Sequence, residues 1–512
     1  MNPTRSTFRR IATVALSTTA VLCATIALPS SVGAGTATEV DTMAWLAAVS
    51  PAVTVDQSNN CMAGATDAVA YRNDRIVLRT TAPNAIVTTT VNNTLHALYG
   101  NMINYAGPIE TITFPTPPGG PAIVPVVSVT LLPRGGGLHH DILGLARHLR
   151  NDSGKTASPD YANTFDGPYT HYFPYGYPAI TSALTPPRTN LTPANQKIGT
   201  GVKIEVYDTG LFAPDPTNLP TTSKLSSTDN DLVDLVNNGT KMVDSPAAGH
   251  GEGISGVLTT VAPGATIQNV RINDRTGLLT DVSAARAIAS SLRTLSLANY
   301  PNLLINSFGS AGCDLKPTSP GAVLQPIGME AVVEVVDKFN PYKTGGMLIV
   351  ASAGNEASTR PHYPAAFESV LSVGALDGTV DGDGSPWSSA SKTAPVADFS
   401  NRGSTVDVYT TSVGLPTTHV NGYRFEYGGD IILGKALVTG TSFGGPALAA
   451  MIAELMSETG YSARAARDIL IAGGTAPLPQ CGTTAVEQGT AIVLQSLSAK
   501  ITDPATANPV AC

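Results

Sequence analysis

From Gly199 onward the sequence alternates short apolar runs with helical stretches, and this alternation restricts the chain to few architectures. Val202–Val206, Ile267–Val270, Leu303–Ile305, Met347–Val350, Val370–Val373 and Val406–Val408 read as strands. Between them, Asp281 to Leu292 places Val282, Ala285, Ile288, Ala289 and Leu292 on one helical face. Near-continuous apolar strands separated by helices imply a mostly parallel sheet covered on both sides, an α/β fold. In such sheets the chemistry collects beyond the carboxyl ends of the strands, where the loops begin.

The chain before Gly199 follows another pattern. Arg75–Leu78, Thr111–Phe114 and Val126–Leu132 read as strands, with a short helix around Asn93 to Asn101 and a second from about Leu138 to Arg150. That order predicts a small α+β unit of the split βαβ kind. The stretch from Ser158 to Asn195 is rich in Pro, Tyr, Thr and Asn, lacks a sustained period, and reads as a boundary or linker.

At the start, Arg5, Arg9 and Arg10 precede an apolar run from Ile11 to Leu28, and Val32-Gly33-Ala34 offers a small-residue cleavage site. Residues 1–34 are therefore expected to be a secretory signal, with Arg9-Arg10 leaving a twin-arginine route open. No second long apolar run follows, so the processed chain is expected outside the cytoplasm with no stable membrane anchor. The net charge of -8 and the absence of a basic patch exclude nucleic acid as the main partner. Beyond Cys23 in the signal, Cys61, Cys313, Cys481 and Cys512 remain. Their three complete pairings stay open, and none forms the close pair that zinc sites use.

Four polar motifs fall where an α/β sheet places chemistry. Asp208-Thr209-Gly210 directly follows a strand and offers a carboxylate to orient an imidazole. His250-Gly251-Glu252-Gly253 opens a helix whose glycines allow close packing on the sheet. Ala351-Ser352-Ala353-Gly354-Asn355-Glu356 follows a buried strand and brings a side-chain amide. Gly440-Thr441-Ser442-Phe443-Gly444-Gly445-Pro446 puts Ser442 at a helix N-terminus, with Pro446 in the first turn. There the helix dipole and backbone N–H groups favour developing negative charge.

In this order the motifs resemble those of the subtilisin-like serine proteases, over roughly Gly199 to Ile471. Val261–Ala265, Asn306–Gly309, Tyr363–Ala366 and Phe399–Gly403 add to the likeness. The chain departs from the family at Glu252, where Thr is usual, and at Gly444 and Gly445, where Ala occupies one or both positions. The resemblance implies a three-layer subtilisin-like fold and a serine endopeptidase. Ser442 would be the nucleophile, His250 the base, Asp208 its orienting carboxylate and Asn355 an oxyanion donor. It also implies a substrate pocket lined by Ser307, Phe308, Gly309, Ala353 and Gly354, with Glu356 at its rim. Broad specificity for large uncharged side chains is the default, and Glu356 is a hint toward basic or polar ones. His362 and His419 have no match to the triad and read as structural.

Residues 35–165 then resemble an inhibitory propeptide, with Asp160–Asn163 at its extended end, and 166–512 the catalytic domain. The maturation cut is expected between Asp166 and Asn195, and the expected partners are peptide or protein substrates and the chain's own propeptide. No cofactor is required for the chemistry. Asp377, Asp381 and Asp383 in a Gly-rich loop are candidates for a structural Ca²⁺, against the alternative of a solvated Asp-Gly turn. The rival functions are a catalytically inactive, secreted binding protein with a protease fold and a narrow-specificity processing protease. The acid-acting sedolisins fit less well, since they use a Glu base where this chain has His250.

Overall fold

A computed structural model of the chain describes residues 52–56, 61, 69–100, 105–132, 141–153, 156–165, 173–174, 197–210, 224–227, 250–273, 278–316, 319–377, 396–413, 415–417, 425–427, 430–432, 436–473 and 490–492. The expectations for the signal segment, for Cys23, Cys481 and Cys512, for His419, for Asp381 and Asp383 and for most of the linker lie outside these residues.

The N-terminal unit is built from β1 (Val53–Asp56), β2 (Val69–Arg79), α1 (Asn84–Tyr99), β3 (Tyr105–Ile112), β4 (Val126–Leu132), α2 (Ile142–Ser153) and β5 (Thr156–Phe165). Its antiparallel strands run in the order β5-β2-β4-β3, with β1 added to β2. This is the split βαβ arrangement that the strand and helix order predicted. Alternation along β2 sorts the side chains: Ile76 and Leu78 face a core with α1 and α2, while Val77 faces the rest of the protein. Helix α1 begins nine residues before the expected start at Asn93. Its first half, Ile86-Val87-Thr88-Thr89-Thr90-Val91, is β-branched and reads poorly as helix. Packing decides instead, because Val87, Val91 and Leu95 recur at four-residue spacing and are buried. Thr89 and Thr94 turn their hydroxyls back to the carbonyls of Ala85 and Thr90, both at 2.9 Å.

The second part contains β6 (Lys203–Asp208), β7 (Lys224–Ser227), α3 (His250–Val261), β8 (Thr266–Arg271), β9 (Leu279–Thr280), α4 (Asp281–Thr294), β10 (Leu303–Asn306) and β11 (Phe308–Ala311). It continues through α5 (Ile327–Phe339), β12 (Leu348–Ser352), β13 (His362–Tyr363), β14 (Leu371–Leu376), β15 (Val408–Thr411), α6 (Thr441–Thr459), α7 (Ala463–Gly473) and β16 (Thr490–Ile492). Eight strands form one parallel sheet in the order β16-β15-β14-β12-β10-β6-β8-β7. Helices α3 and α6 close one face over Ile204, Val206, Leu303, Ile305 and Val350. Helices α4 and α5 close the other over Leu304 and Ile349. The three layers follow from strands that are largely apolar on both faces. Each buried Val, Ile or Leu among them contributes about 1.5–3 kcal/mol relative to exposure.

The N-terminal unit lies on α4 and α5, and Val77, Ile112, Phe114 and Val126 enter their apolar cluster. Ion pairs Arg79–Glu334 and Arg286–Glu110 rim the contact. At its centre, buried Asp160 accepts the N–H of Val282 in the first turn of α4 at 3.0 Å and pairs with Arg75 at 3.3 Å. Beside it, buried Asp281 accepts the N–H groups of Gly328 and Met329 at the start of α5, at 2.6 and 2.8 Å. Both carboxylates thus satisfy orphan donors of helix N-termini. Burial raises the Asp160 carboxyl above its ordinary range, against the lowering effect of Arg75. Asp281 is pushed up to about 7 by burial and then by the charge of Asp160, with the two N–H groups working against the shift. A disulfide between Cys61 and Cys313 completes the junction.

Because the folded-state values of Asp160 and Asp281 are raised, the native state holds protons that the unfolded chain releases. The stability they contribute is full below the unfolded carboxyl value, about 4, and falls as pH rises toward about 7. The melting temperature of the full chain should therefore fall between pH 5 and pH 8, and Asp281→Asn should flatten that slope. A melting temperature that rises over this range in both proteins would contradict the assignment.

Candidate active site

Asp208 is the last residue of β6 and His250 the first of α3, so strand end and helix start meet at the carboxyl edge of the sheet. Both carboxylate oxygens of Asp208 lie 2.9 Å from His250 Nδ1, and both residues are buried. Nδ1 thereby carries the proton shared with the carboxylate, which turns Nε2 away from Asp208. Asp208 Oδ1 also accepts the N–H of Thr209 at 2.7 Å. Thr209 Oγ1 in turn accepts the N–H of Gly251 at 2.9 Å and ties the helix start to the strand end. A Cβ at Gly251 would sit 2.7 Å from the carbonyl oxygen of Gly210, so only glycine permits this approach. Asn269 donates to Gly251 O and Ser255 Oγ at 3.2 and 3.1 Å and holds the first turn of α3 from the next strand.

Ser442 is buried in the first turn of α6, whose residues Thr441 to Met456 are all buried. The neighbouring Phe443 ring stands 5.3 Å from the His250 ring, tilted by 56°, which brings the starts of α3 and α6 together. Pro446 is not in the first turn, because α6 starts at Thr441 and places it inside the helix. Lacking an N–H, Pro446 cannot bond the carbonyl of Ser442 four residues back. That carbonyl accepts instead from Ser307 Oγ at 2.8 Å. Ser307 precedes β11, so a deficit in the helix ladder fastens the start of β11 beside Ser442.

Asn355 is buried in the loop after β12. Its Oδ1 accepts both the N–H and the hydroxyl of Thr441, at 3.0 and 2.9 Å. The oxygen end of the amide is thereby fixed against the start of α6, which leaves the NH₂ as its donor end. Asn401 sets the loop itself: its Nδ2 donates to Ala353 O at 2.8 Å, and its Oδ1 accepts the N–H groups of Glu356 and Ser358 at 3.1 and 2.8 Å. The structure therefore brings Asp208, His250, Ser442, Asn355 and Ser307 to one edge.

Phe308 and Gly309 lie in β11, and Ala353 and Gly354 in the loop that Asn401 pins. Glu356 accepts from Asn401 Nδ2 at 2.6 Å and lies 3.6 Å from His362 Nδ1, so His362 belongs to the neighbourhood of this loop. Asp377 follows β14, and the rest of its acidic loop lies outside the described residues. Among the described residues no group of three or more His, Cys, Asp or Glu is placed to hold a metal.

Sequence reasoning did not assign roles to Thr209, Asn269, Thr441 or Asn401. Thr209 and Thr441 each stand in a motif next to a candidate residue, and that adjacency is their one signal in the sequence. Asn401 stood in a matched segment with no function attached, and its partner loop is 45 residues away along the chain.

The last strand of the N-terminal unit enters this edge. Phe165 and Thr164 pair antiparallel with Phe308 and Gly309, while Asn163 and Ala162 pair with Leu279 and Thr280. Residues 162–165 thus lie between β9 and β11 as an added strand.

A buried carboxylate–imidazole pair set against a helix N-terminus that carries a serine, beside an anchored amide, has the layout of a nucleophilic hydrolase. The family model described as the subtilase family matches residues 199–485, more than half of the chain, and the chain belongs to that family. The thermophilic serine proteinase of Bacillus sp. (strain AK1) is 30% identical over 269 residues, covering 51% of this chain and 54% of that protein. The minor extracellular protease Epr of Bacillus subtilis (strain 168) is 27% identical over 261 residues, covering 50% and 32%. The chain thus spans about half or less of the length of these curated relatives. Among solved structures, fervidolysin from Fervidobacterium pennivorans, a keratinolytic enzyme related to subtilisin, superposes with a TM-score of 0.49 at 16% identity, over 86% of this chain and 62% of that one. A lanthipeptide protease gives 0.43 at 17%, over 61% and 90%.

The two glycines after Ser442 are not equivalent. A Cβ at Gly444 would fall 2.0 Å from Ser412 Oγ, a hydroxyl held by its bond to Thr410 O at 2.8 Å. At Gly445 the nearest atom, Val350 Cγ1, is 3.8 Å away, an ordinary contact. Gly445→Ala should raise stability by about 0.5–1 kcal/mol through helix propensity. Gly444→Ala should lower it by about 1–3 kcal/mol through overpacking. Denaturant unfolding of the two variants checks both signs.

Proposed function

We propose that this chain is a secreted serine endopeptidase whose catalytic groups are Asp208, His250 and Ser442. The observation that carries this reading is the buried Asp208–His250 pair, held at 2.9 Å against the start of the helix bearing Ser442. His250, oriented through Nδ1, would take the Ser442 proton on Nε2 as Oγ attacks the substrate carbonyl. Asp208 would stabilise the imidazolium so formed. The carbonyl oxygen gains charge as the carbon becomes tetrahedral, and the Asn355 NH₂ and the backbone N–H of Ser442 would donate to it. His250 would then protonate the leaving amine, and water would hydrolyse the acyl-enzyme by the same steps in reverse. In this reading all the chemistry comes from protein groups. An ion on the Asp377 loop would serve stability only.

The N-terminal unit is proposed as the chain's own inhibitory propeptide. Support comes from residues 162–165, which occupy the space between β9 and β11 as an extended substrate would. The main-chain pairing there reads backbone rather than side chains, in keeping with broad specificity. The antiparallel pairing sets Phe165, the end of β5, at the start of β11, next to Ser307, whose hydroxyl bonds Ser442 O. The names of the curated relatives, a serine proteinase and an extracellular protease, agree with peptide hydrolysis and export.

Ser442→Ala and His250→Ala should each lower turnover by several orders of magnitude with the fold intact, and Asp208→Asn should also be severe. Asn355→Ala should cost about 10²–10³ in turnover. Wild type should label with an active-site serine phosphonate and self-process between Asp166 and Asn195, whereas Ser442→Ala accumulates uncut. Substantial hydrolysis by purified Ser442→Ala would overturn the mechanism. A wild-type chain that neither labels nor cuts would favour a binding protein, and cleavage of only a few sequences from a peptide library would favour a dedicated processing protease.

A further inference from the structure

The disulfide joins Cys61 to Cys313 across 252 residues, and these two cysteines lie on opposite sides of the bond that maturation is proposed to cut. Both are fully buried in the apolar core of the N-terminal unit, together with Tyr161 and Leu324. Cys313 and Leu324 belong to the subtilase-like part, so the two parts share this core rather than merely touch. The backbone around the bridge is fastened as well. The N–H of Asp314 donates to Cys61 O at 2.7 Å, and the N–H of Cys313 donates to Tyr161 Oη at 3.0 Å. Tyr161 Oη donates onward to Leu324 O at 2.7 Å, and Arg147 donates to Asp314 O at 2.9 Å.

Strand β5 has two differently held halves. Residues 156–161 pair with β2 inside the unit, while residues 162–165 pair with β9 and β11 at the cleft. On the peptidase reading, the second half is the part that a substrate would replace, and the first half is held by separate pairings.

We propose that the N-terminal unit is retained after the cut as a second, disulfide-bonded chain, and that its end at residues 162–165 acts as an intramolecular competitor for the cleft. The inference rests on the peptidase reading for the word competitor, but not for the retention. A tethered competitor meets its site at an effective concentration on the order of millimolar, and that concentration does not change on dilution. A released propeptide would instead dissociate as the enzyme is diluted. Retention needs no redox step, since the bridge is simply kept.

Wild type and the double variant Cys61→Ser/Cys313→Ser, each prepared as the full chain and left to self-process, test this. On denaturing electrophoresis without reductant the wild type should run as one species and split into two on reduction, while the double variant runs as two throughout. Over a wide dilution series, specific activity should stay level for the wild type and rise about tenfold or more for the double variant. Separation of wild-type fragments without reductant, or an equal rise in both proteins, overturns the proposal. Retention is tested apart from the peptidase reading in Ser442→Ala carrying, between residues 175 and 195, a site for an unrelated sequence-specific protease. After that cut its fragments should stay joined until reduced, and their parting without reductant overturns the proposal whatever the activity of the wild type. This arm also decides the question where the cysteine variant fails to fold.

Discussion

A parallel sheet covered on both faces leaves almost no room for polar groups in its body, and the architecture of the site follows from that exclusion. The strands carry apolar side chains toward α3 and α6 on one side and toward α4 and α5 on the other. The candidate site residues are therefore displaced to the strand ends: Asp208 closes β6, Ser307 follows β10, and Asn355 stands in the loop after β12. Where a carboxylate does sit within the sheet, it is fully engaged. Glu205 accepts from Tyr207 and from Ser291 Oγ, and burial pushes its carboxyl above the ordinary range. Helix α6 brings its N-terminus, with its unsatisfied N–H groups, to the same edge where the strands end.

How much of this was legible depended on whether a signal was local. The strands Leu303–Ile305 and Val126–Leu132 were read nearly as they stand, since an uninterrupted apolar run has few other uses. That Asp208, His250, Ser442 and Asn355 meet at one edge was legible because each sits in a short motif tied to a strand end or a helix start. The start of α1 could not, because Ile86 to Val91 favour a strand locally and only their tertiary partners make them helical. The position of Pro446 inside the helix is hidden from the sequence for a related reason. A helix that is buried all round shows no amphipathic edge by which to count its first turn. The Cys61–Cys313 pairing was one of three open possibilities, and composition and spacing contain nothing that selects it.

The junction between the two parts combines interactions of opposite character. Apolar residues of β2, β3 and β4 supply area without direction, whereas Asp160 and Asp281 supply direction at a desolvation cost. Asp160 of the N-terminal unit is aimed at the start of α4, and Asp281, in α4 itself, at the start of α5, so the unit fixes α4 directly and α5 through α4. The register of β5 against β2 places Asp160 opposite Arg72 and Tyr161 opposite Tyr71. A slip of one residue there would turn Asp160 away from α4 and Tyr161 away from Leu324. The same register fixes which residues reach β9 and β11, so the chemistry at the junction also sets what enters the cleft.

Pro446 connects these levels. A helix interior ordinarily tolerates proline badly, because one ladder bond is lost and the helix bends. In α6 the lost bond belongs to the carbonyl of Ser442, and Ser307 Oγ takes it up from the neighbouring strand end. The helix cost is thus converted into a fixed distance between the start of α6 and the start of β11, the strand that receives an extended chain. Thr441, on the other side of Ser442, performs the matching service for Asn355. The carbonyl of the serine is held by Ser307 at the start of the receiving strand, and the residue before it, Thr441, is held by Asn355, so the backbone on both sides of Ser442 is fixed.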